Sequence, residues 1–281
     1  MMGILVTGAT GQLGFDVMRE LQARGMEAKG VGLEDFSLTD YPAMRRFVEA
    51  YRPEAIVHCA AYTAVDKAEE EEELCLSVNA AATGELARAA KEVGAKFLYI
   101  STDYVFPGTG EGFYEPDDKK GPLNIYGRSK LLGEQAAERA LAELFIVRIS
   151  WVFGKNGKNF IKTMLRLAET HEELSVVGDQ IGSPTYTKDL ARLLVDLLGT
   201  EKYGVYHATN EGVCSWAELA AEAIRLAGKK TRVKAIRTEE YPTPAVRPRN
   251  SRLSKDCLDA AGVSRLPPWQ DAVRRYLDEL A

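Results

Sequence analysis

The N-terminus combines a short apolar run with three regularly spaced glycines, and this feature constrains the fold more than any other. Residues 4–7 read ILVT, and the stretch GATGQLG that follows places Gly8, Gly11 and Gly14 before a helical pattern. Glycines at such a junction permit a tight turn and a close approach of a pyrophosphate, and the helix start offers free N–H groups. The arrangement predicts a dinucleotide site on the first strand of a Rossmann-like sheet.

Apolar runs and helical patterns alternate along the first 150 residues. After the first strand, a second ends near GVGLEDFS, and further strands are predicted at 55–60, 96–101 and 144–150, with helical segments at 12–24, 41–51, 65–93 and 126–142. This alternation is typical of a doubly wound parallel sheet with helices on both faces. Because the pattern loosens afterwards, we predict an α/β fold with an NAD(P)-binding domain at residues 1–150. Residues 151–281 would form mainly a smaller substrate-binding lobe, with some segments returning to the first domain.

Composition excludes several classes of protein. The chain is 46% hydrophobic and 27% charged, as globular proteins are, and no apolar run approaches the roughly 18 residues of a membrane span. The N-terminus lacks the basic start and cleavage site of a signal peptide, so we expect a cytoplasmic protein. A formal net charge of -5 argues against nucleic-acid binding. Residues 225–255, however, hold ten Lys/Arg and two Asp/Glu, which suits an anionic small molecule.

Cysteines and histidines give no catalytic or metal-binding pattern. Cys59, Cys75, Cys214 and Cys257 are widely spaced, so we expect buried free thiols rather than a disulfide framework or a zinc site. His58 lies inside an apolar strand, where a hydrogen-bonded core residue is the expected interpretation.

A tyrosine and a lysine lie one helical turn apart in the stretch YGRSKLLGE. Tyr126 and Lys130 are at positions i and i+4, which share one face of a helix. A phenol has a pKa of about 10, and a nearby ammonium lowers it by stabilising the phenolate. The spacing alone is common, but STDYVF follows the fourth strand, where α/β enzymes place substrate-facing groups. Together with the glycine loop, the pair indicates an acid/base function.

The residues after the second strand leave the choice of nicotinamide cofactor open. An acidic residue about 20 positions beyond the glycine loop usually binds the ribose hydroxyls of NAD. Glu34 and Asp35 are near that position, and no arginine stands there to hold a 2′-phosphate. NADPH and NADH both remain candidates.

In combination, these motifs resemble the extended short-chain dehydrogenase/reductase superfamily, and within it the dTDP-4-dehydrorhamnose reductases. The resemblance runs nearly end to end, through the blocks GATGQLG, AAYTAVDKAE, STDYVF, YGRSKLLGE, SWVFG, NFIKTMLRLA, DQIGSPT and YPTPAVRPRNSRL. The first and fourth blocks belong to the whole superfamily, and the others are more specific. The resemblance implies that the C4 keto group of dTDP-4-dehydro-L-rhamnose is reduced to give dTDP-L-rhamnose by hydride transfer from NADPH or NADH.

The resemblance also implies residue roles. Tyr126 would donate a proton to the C4 oxygen, Lys130 would bind the nicotinamide ribose, and Thr102 would hydrogen-bond the sugar carbonyl. The implied cofactor-binding residues are Gly8, Thr10, Gly11, Gln12, Leu13, Gly14, Asp35, Phe36, Ala61, Tyr62 and Thr63, together with Tyr126 and Lys130. Asp103 and Trp151 would contact the sugar.

Two further site predictions concern the substrate's charge and a metal. Arg247 and Arg249, in the basic C-terminal segment, are predicted to bind the nucleotide diphosphate. Family members that use a metal make Mg²⁺ a further candidate cofactor, with Asp16 as its candidate ligand. A homodimer is the candidate assembly.

Three alternatives stay in view. A nucleotide-sugar 4-epimerase also needs only the tyrosine, the lysine and a bound nicotinamide, although it lacks the blocks AAYTAVDKAE and YPTPAVRPRNSRL. A 4,6-dehydratase needs a second carboxylate after the Thr102–Asp103 pair, where this sequence has Tyr104. The regulatory subunit of methionine adenosyltransferase resembles the same family and acts by binding a partner rather than by catalysis.

Overall fold

The computed structural model describes residues 3–280. Its first half alternates strands and helices, with a π-helical turn at Ser77–Ala81 and a 3-10 turn at Asp103–Val105. The elements are β1 (Ile4–Thr7), α1 (Gln12–Ala23), β2 (Ala28–Val31), α2 (Tyr41–Tyr51), β3 (Ala55–His58), α3 (Val65–Ala68), α4 (Glu72–Leu76), α5 (Ala82–Val93), β4 (Lys96–Thr102), α6 (Ile125–Ala140) and β5 (Leu144–Ile149).

The second half has shorter strands and a further 3-10 turn at Thr238–Glu240. Its elements are β6 (Val152–Phe153), α7 (Phe160–Leu167), β7 (Glu173–Val177), β8 (Ile181–Gly182), β9 (Thr185–Tyr186), α8 (Thr187–Leu198), β10 (Gly204–His207), β11 (Asn210–Glu211), β12 (Cys214–Ser215), α9 (Trp216–Leu226), β13 (Arg232–Ile236), β14 (Asn250–Ser251), α10 (Asp256–Ala260), β15 (Leu266–Pro268) and α11 (Trp269–Leu280).

A six-stranded parallel sheet forms the centre, in the order β10-β5-β4-β3-β1-β2. This confirms the predicted α/β class. The strand order reverses between β1 and β3, and in open parallel sheets the crevice at that reversal is where ligands bind. Strand β10 was not predicted, because its four residues lie in the irregular part of the pattern. It pairs with β5, so the second half of the chain contributes to the central sheet, while the division at residue 150 stays a prediction.

Side chains of β1 alternate between two apolar layers. Ile4 and Val6 pack with Val17 and Leu194 on the face covered by α1 and α8. Leu5 packs with Met44 and Leu86 on the face covered by α2 and α5. Successive strand residues point to opposite faces, so a strand buried on both sides must be apolar throughout. Each fully buried side chain of this size contributes about 1.5–3 kcal/mol.

The helical segment predicted at 65–93 is broken in the structure. It divides at a turn after α3, and a π-helical turn then separates α4 from α5. In the first turn, the Glu69 carboxylate accepts a hydrogen bond from the Ile125 amide at 2.9 Å, at the start of α6. Glu71 accepts one from the Tyr62 hydroxyl. Glu69 and Glu71 therefore bind neighbouring segments of the chain.

Two features of the described chain concern its helices and its cysteines. No helix between residues 3 and 280 has the length and apolar character needed to cross a membrane. All four cysteines are free thiols; Cys75 and Cys214 are buried, and Cys59 and Cys257 are partly buried.

Candidate active site

A cleft of about 1020 Å³ opens where β1, β3, β4 and β5 end. Small-ligand pockets usually measure about 300–1000 Å³, so this cleft is at the upper end and suits an extended ligand. The predicted site residues that line it are Gly8, Thr10, Gly11, Gln12, Leu13, Phe36, Ala61, Tyr62, Thr63, Thr102, Asp103, Tyr126, Lys130 and Trp151. The cleft therefore brings together residues that are up to 143 positions apart in the chain (Gly8 to Trp151).

The glycine loop is shaped by two close backbone contacts. Gly8 has φ +67°, and a Cβ there would lie 2.8 Å from the Ala60 backbone. A Cβ on Gly14 would collide with the Gly8 carbonyl oxygen, so Gly14 serves packing and does not line the cleft. The Gly11 amide donates to the Gly8 carbonyl at 2.9 Å. These glycines let the turn pass directly into α1, as the sequence predicted.

A segment from the second half of the chain holds the glycine loop from the other side. The Gln12 side-chain oxygen accepts hydrogen bonds from the Gly154 amide and the Asn159 side chain, each at 3.1 Å. Asn156 donates to the Thr10 carbonyl at 2.6 Å. The same segment carries Lys158, an exposed cation that lines the cleft. Nothing in the local sequence pattern predicted this contact.

Asn79 holds the loop after β3 and was also missed from sequence. Its side-chain oxygen accepts from the Tyr62 amide at 2.8 Å, and its amide nitrogen donates to the Tyr62 carbonyl at 3.0 Å and to Ser129 at 2.9 Å. Asn79 lies in the π-helical turn, a distortion that is frequent at functional sites. Its signal in the sequence is a lone amide within the apolar stretch SVNAA. The contacts link the loop after β3 to helix α6.

Of the two cofactor-binding residues predicted at the end of β2, one lines the cleft and the other does not. Phe36 is buried, lines the cleft and packs against Phe47 with ring centroids 5.3 Å apart. Asp35 is exposed and does not line the cleft, because its carboxylate accepts from the Gly32 amide at 2.9 Å and closes a turn. Glu34 is exposed as well and also lies outside the lining.

Helix α6 carries both Tyr126 and Lys130, and its start is anchored. The Asn124 side chain caps it by accepting from the Gly127 amide at 2.8 Å, and its amide nitrogen donates to the Val246 carbonyl at 2.8 Å. Thr102 lies at the end of β4, where its hydroxyl donates to Asp103 at 3.0 Å. The three predicted catalytic side chains thus line one cleft, on two elements whose ends are held by side-chain hydrogen bonds.

Lys130 is buried with a strongly changed proton affinity. Its Nζ donates to the Ile100 carbonyl at 2.7 Å and lies 4.0 Å from the centre of the Tyr99 ring. Burial lowers the pKa of Lys130 to about 7, although the Glu134 carboxylate acts in the opposite direction. The lysine can therefore change its charge near neutral pH.

The expected lowering of the Tyr126 pKa is wrong in this structure. Burial raises the pKa of the phenol above its ordinary value, and the nearby Thr102 hydroxyl offsets this only in part. The Lys130 ammonium donates its hydrogen bond to the Ile100 carbonyl and not to the Tyr126 oxygen. Tyr126 is therefore a neutral phenol at neutral pH, which is the form that donates a proton.

Asp103 lines the cleft and has a buried carboxylate oxygen without a partner in the described part of the chain. The residue is 3% exposed, and its Oδ2 has no hydrogen-bond partner within residues 3–280. Burial raises the pKa of Asp103 to about 6. The Ser251 hydroxyl lies beside it and partly offsets this effect, although the two do not form a well-directed hydrogen bond. An unpaired buried acceptor of this kind is suited to a ligand hydroxyl.

The predicted diphosphate-binding arginines do not face the cleft. Arg247 makes a two-pronged contact with Asp66, at 2.9 Å and 2.8 Å, and Arg249 pairs with Glu239. Neither arginine lines the cleft. Both guanidinium groups are neutralised by carboxylates that sequence reasoning did not connect with them, so that assignment has no support here.

Asp16 and His58 are structural residues. The buried Asp16 accepts from Thr187 at 2.5 Å and from Arg19 at 3.2 Å, and thereby joins α1 to α8. Between residues 3 and 280, no cluster of three or more His, Cys, Asp or Glu could hold a metal, so binding of Mg²⁺ at Asp16 is not supported. His58 contacts Thr7 at 2.7 Å and Thr83 at 3.2 Å, and burial lowers its pKa to about 3, as expected of a core histidine.

The chain is similar throughout its length to known proteins. The model of the RmlD substrate binding domain family matches residues 1–281. The dTDP-4-dehydrorhamnose reductase of Escherichia coli is 41% identical, with 99% of this chain and 98% of that protein covered. The spore coat polysaccharide biosynthesis protein SpsK of Bacillus subtilis is also 41% identical, over 98% and 97%.

Solved structures agree with the sequence relatives. The dTDP-4-dehydrorhamnose reductase of Bacillus anthracis, determined in complex with NADP, superposes with a TM-score of 0.96 at 41% identity, and 99% of each chain is covered. Full-length matches at this identity, together with the family model, determine the assignment. The chain belongs to the dTDP-4-dehydrorhamnose reductase family, within the group defined by the RmlD substrate binding domain.

Proposed function

We propose that this protein reduces the C4 keto group of dTDP-4-dehydro-L-rhamnose to give dTDP-L-rhamnose, with hydride from NADPH or NADH. The observation that carries the proposal is the convergence of Thr102, Tyr126 and Lys130 on the cleft that also contains the glycine loop. Membership of the reductase family supplies the substrate class.

The glycine loop fits the pyrophosphate of a dinucleotide. At Gly8 the left-handed backbone and the nearby Ala60 leave no room for a side chain, so the loop presents bare backbone at the start of α1. Backbone N–H groups and the helix dipole at such a site favour a doubly charged phosphate pair. When bound, the reduced nicotinamide supplies the hydride, and the NADP complex of the Bacillus anthracis relative supports the use of a phosphorylated cofactor.

Tyr126 acts as the proton donor. The hydride adds to C4 of the sugar as the phenolic O–H proton moves to the C4 oxygen, so the ketone becomes a secondary alcohol and the tyrosine becomes a phenolate. The raised pKa of Tyr126 keeps the phenol protonated before the reaction. A positioned acid of this kind contributes about 10²–10⁴-fold to the rate.

Thr102, Lys130 and Asp103 have supporting roles. Thr102 hydrogen-bonds the sugar carbonyl, and the charged form of Lys130 binds the nicotinamide ribose and stabilises the phenolate that Tyr126 leaves. The free Oδ2 of Asp103 accepts a hydrogen bond from a sugar hydroxyl. The segments after residue 150, apart from α8 and β10, form most of the substrate-binding lobe, and the protein acts in the cytoplasm as a homodimer.

The test is a spectrophotometric assay with dTDP-4-dehydrorhamnose prepared in situ, which follows the loss of NADPH or NADH absorbance in parallel reactions. We expect consumption that requires the sugar nucleotide. Tyr126→Phe should lose at least about a hundredfold in turnover while it still binds NADPH. Tyr203→Phe is the matched control, because Tyr203 packs on Phe145 away from the cleft.

Two outcomes would redirect the assignment. Near-normal turnover in Tyr126→Phe would remove the proposed acid. If neither cofactor is consumed by protein that binds the nucleotide, the 4-epimerase and the regulatory-subunit alternatives take precedence, and they are separated by epimerisation of a nucleotide sugar or by stoichiometric binding of a synthetase partner.

A further inference from the structure

We propose that Trp216 is a substrate-positioning residue, which acts by holding the Trp151 indole as a flat wall for the hexose ring. The inference rests on the proposed function and adds a residue that no motif in the sequence identified. Trp216 lies more than 60 positions beyond Trp151, at the first position of α9. Both side chains line the cleft and are partly exposed.

The two indoles form a stacked pair. Their ring centroids are 3.8 Å apart and their planes are inclined by 17°. Phe160 supports Trp216 edge-on from the lobe, at 4.7 Å and 60°, and does not itself line the cleft. The Trp151 ring therefore has an aromatic backing that reaches into the packed interior of the lobe.

The backbone of Trp151 is held in an unfavourable conformation. Its φ is +49°, in the left-handed region that a large side chain rarely adopts. Hydrogen bonds fix the chain around it: the Ser150 hydroxyl donates to the Ser183 carbonyl at 2.6 Å, and the Thr185 amide donates to the Trp151 carbonyl at 3.2 Å. Strain of this kind persists where the surrounding structure enforces it, and it is concentrated at ligand sites.

Gly182 has no side chain, and the Trp151 indole occupies the space where one would lie. A Cβ on Gly182 would lie 2.9 Å from Cε2 of Trp151 and 2.9 Å from Cβ of Ser251. Trp216 thus limits the ring on one face, and Gly182 lies close to Cε2 and Cζ2 of the ring. Loss of either contact would let the indole change its position.

The wall lies at the reacting end of the cleft. In the pairing of β4 with β5, Thr102 is opposite Ile149, two residues before Trp151. The Ser251 next to Gly182 is also the neighbour of Asp103. A flat apolar ring beside these polar groups is complementary to a deoxyhexose, which has an apolar C–H face and hydroxyls at its rim.

The test compares Trp216→Ala with Trp216→Phe at saturating NADPH. An aromatic stacking contact is worth about 0.5–1.5 kcal/mol, so the Ala variant should raise KM for the sugar nucleotide about two- to twelvefold, with kcat changed less. The Phe variant should recover most of the effect, and Kd for NADPH should stay within about twofold, since an aromatic ring is retained and the cofactor loop is untouched. Titration with dTDP-L-rhamnose gives a binding readout independent of turnover.

Controls separate this role from simple packing. Phe160→Leu should lower the melting temperature and raise KM clearly less than Trp216→Ala does, because Phe160 contacts Trp216 but does not line the cleft. Gly182→Ala should raise KM and combine less than additively with Trp216→Ala. An unchanged KM and sugar-nucleotide Kd in Trp216→Ala, or an equal rise in Phe160→Leu, would overturn the inference. Wild-type protein that binds dTDP-L-rhamnose without turnover would contradict the proposed function alone. Failure of the wild type to bind it would refute both.

Discussion

The buried ion pair between Arg148 of β5 and Glu134 of α6 gives the sharpest prediction of stability. Arg148 and Glu134 have side-chain exposures of 2% and 3%, and the guanidinium binds the carboxylate through two hydrogen bonds, at 2.8 Å and 2.7 Å. Glu134 lies one helical turn after Lys130 on α6. Arg148 also donates to the Pro116 carbonyl at 2.8 Å.

The perturbation is Glu134→Gln, which keeps the side-chain volume and removes only the charge. The variant leaves the Arg148 cation without its counter-charge at a site that water hardly reaches. Breaking a buried pair in this way costs about 3–5 kcal/mol of unfolding free energy, a large part of the roughly 5–15 kcal/mol that a domain possesses. At these exposures water screens the ion pair very little, so the full energy range of a buried pair applies.

Urea unfolding at pH 7, followed by far-ultraviolet circular dichroism, measures the loss. The matched control is Glu222→Gln, because Arg225 in that pair is 68% exposed and an ion pair so open to solvent contributes little to stability. Replacement of both partners, Glu134→Leu with Arg148→Met, should recover most of the stability, since it leaves no isolated charge. If Glu134→Gln costs no more than the exposed control, the reasoning from burial is refuted.

Three further predictions concern the cleft. Lys130→Met should weaken NADPH binding and lower turnover together, because Lys130 is proposed both to bind the nicotinamide ribose and to stabilise the Tyr126 phenolate. A change in only one of the two quantities would contradict this double role. Asp103→Asn should raise the melting temperature at pH 7, and the gain should shrink as the pH falls toward 4. The folded-state pKa of Asp103 is about 6, above the ordinary 3.8, so folding favours the protonated carboxyl. The stability that this protonated form contributes is lost as the pH rises through 6. An equal gain at both pH values would rule out this origin, and KM for the sugar nucleotide should rise in the same variant. Lys158→Met should weaken NADPH binding more than Lys155→Met, since both lysines are exposed on one loop but only Lys158 lines the cleft; equal effects would mean that only net charge matters.

Local pattern predicted the elements well. The bounds of β1 and α2 match the prediction, and α6 differs only at its ends. These elements depend on the spacing of apolar side chains and on the glycines between them, and this information lies within a few residues. The glycine loop and the pair Tyr126 and Lys130 also lie in short motifs, whereas Thr102 was predicted from the resemblance; all of them line the cleft.

The sequence by itself determined the alternating α/β order, the glycine loop and the resemblance from which the roles of Thr102, Tyr126 and Lys130 are proposed. Only the tertiary structure decided which side chains are free to act. Arg247 and Asp66 are 181 positions apart in the chain, and the ion pair between them holds Arg247 away from the cleft, where it was predicted to bind the diphosphate. Burial raises the pKa of Tyr126, although the lysine beside it in sequence predicted the opposite. The stacking of Trp216 on Trp151 likewise appears only once the lobe is packed. Partner choice and desolvation depend on groups that folding brings together from distant parts of the chain, and no local pattern contains that information.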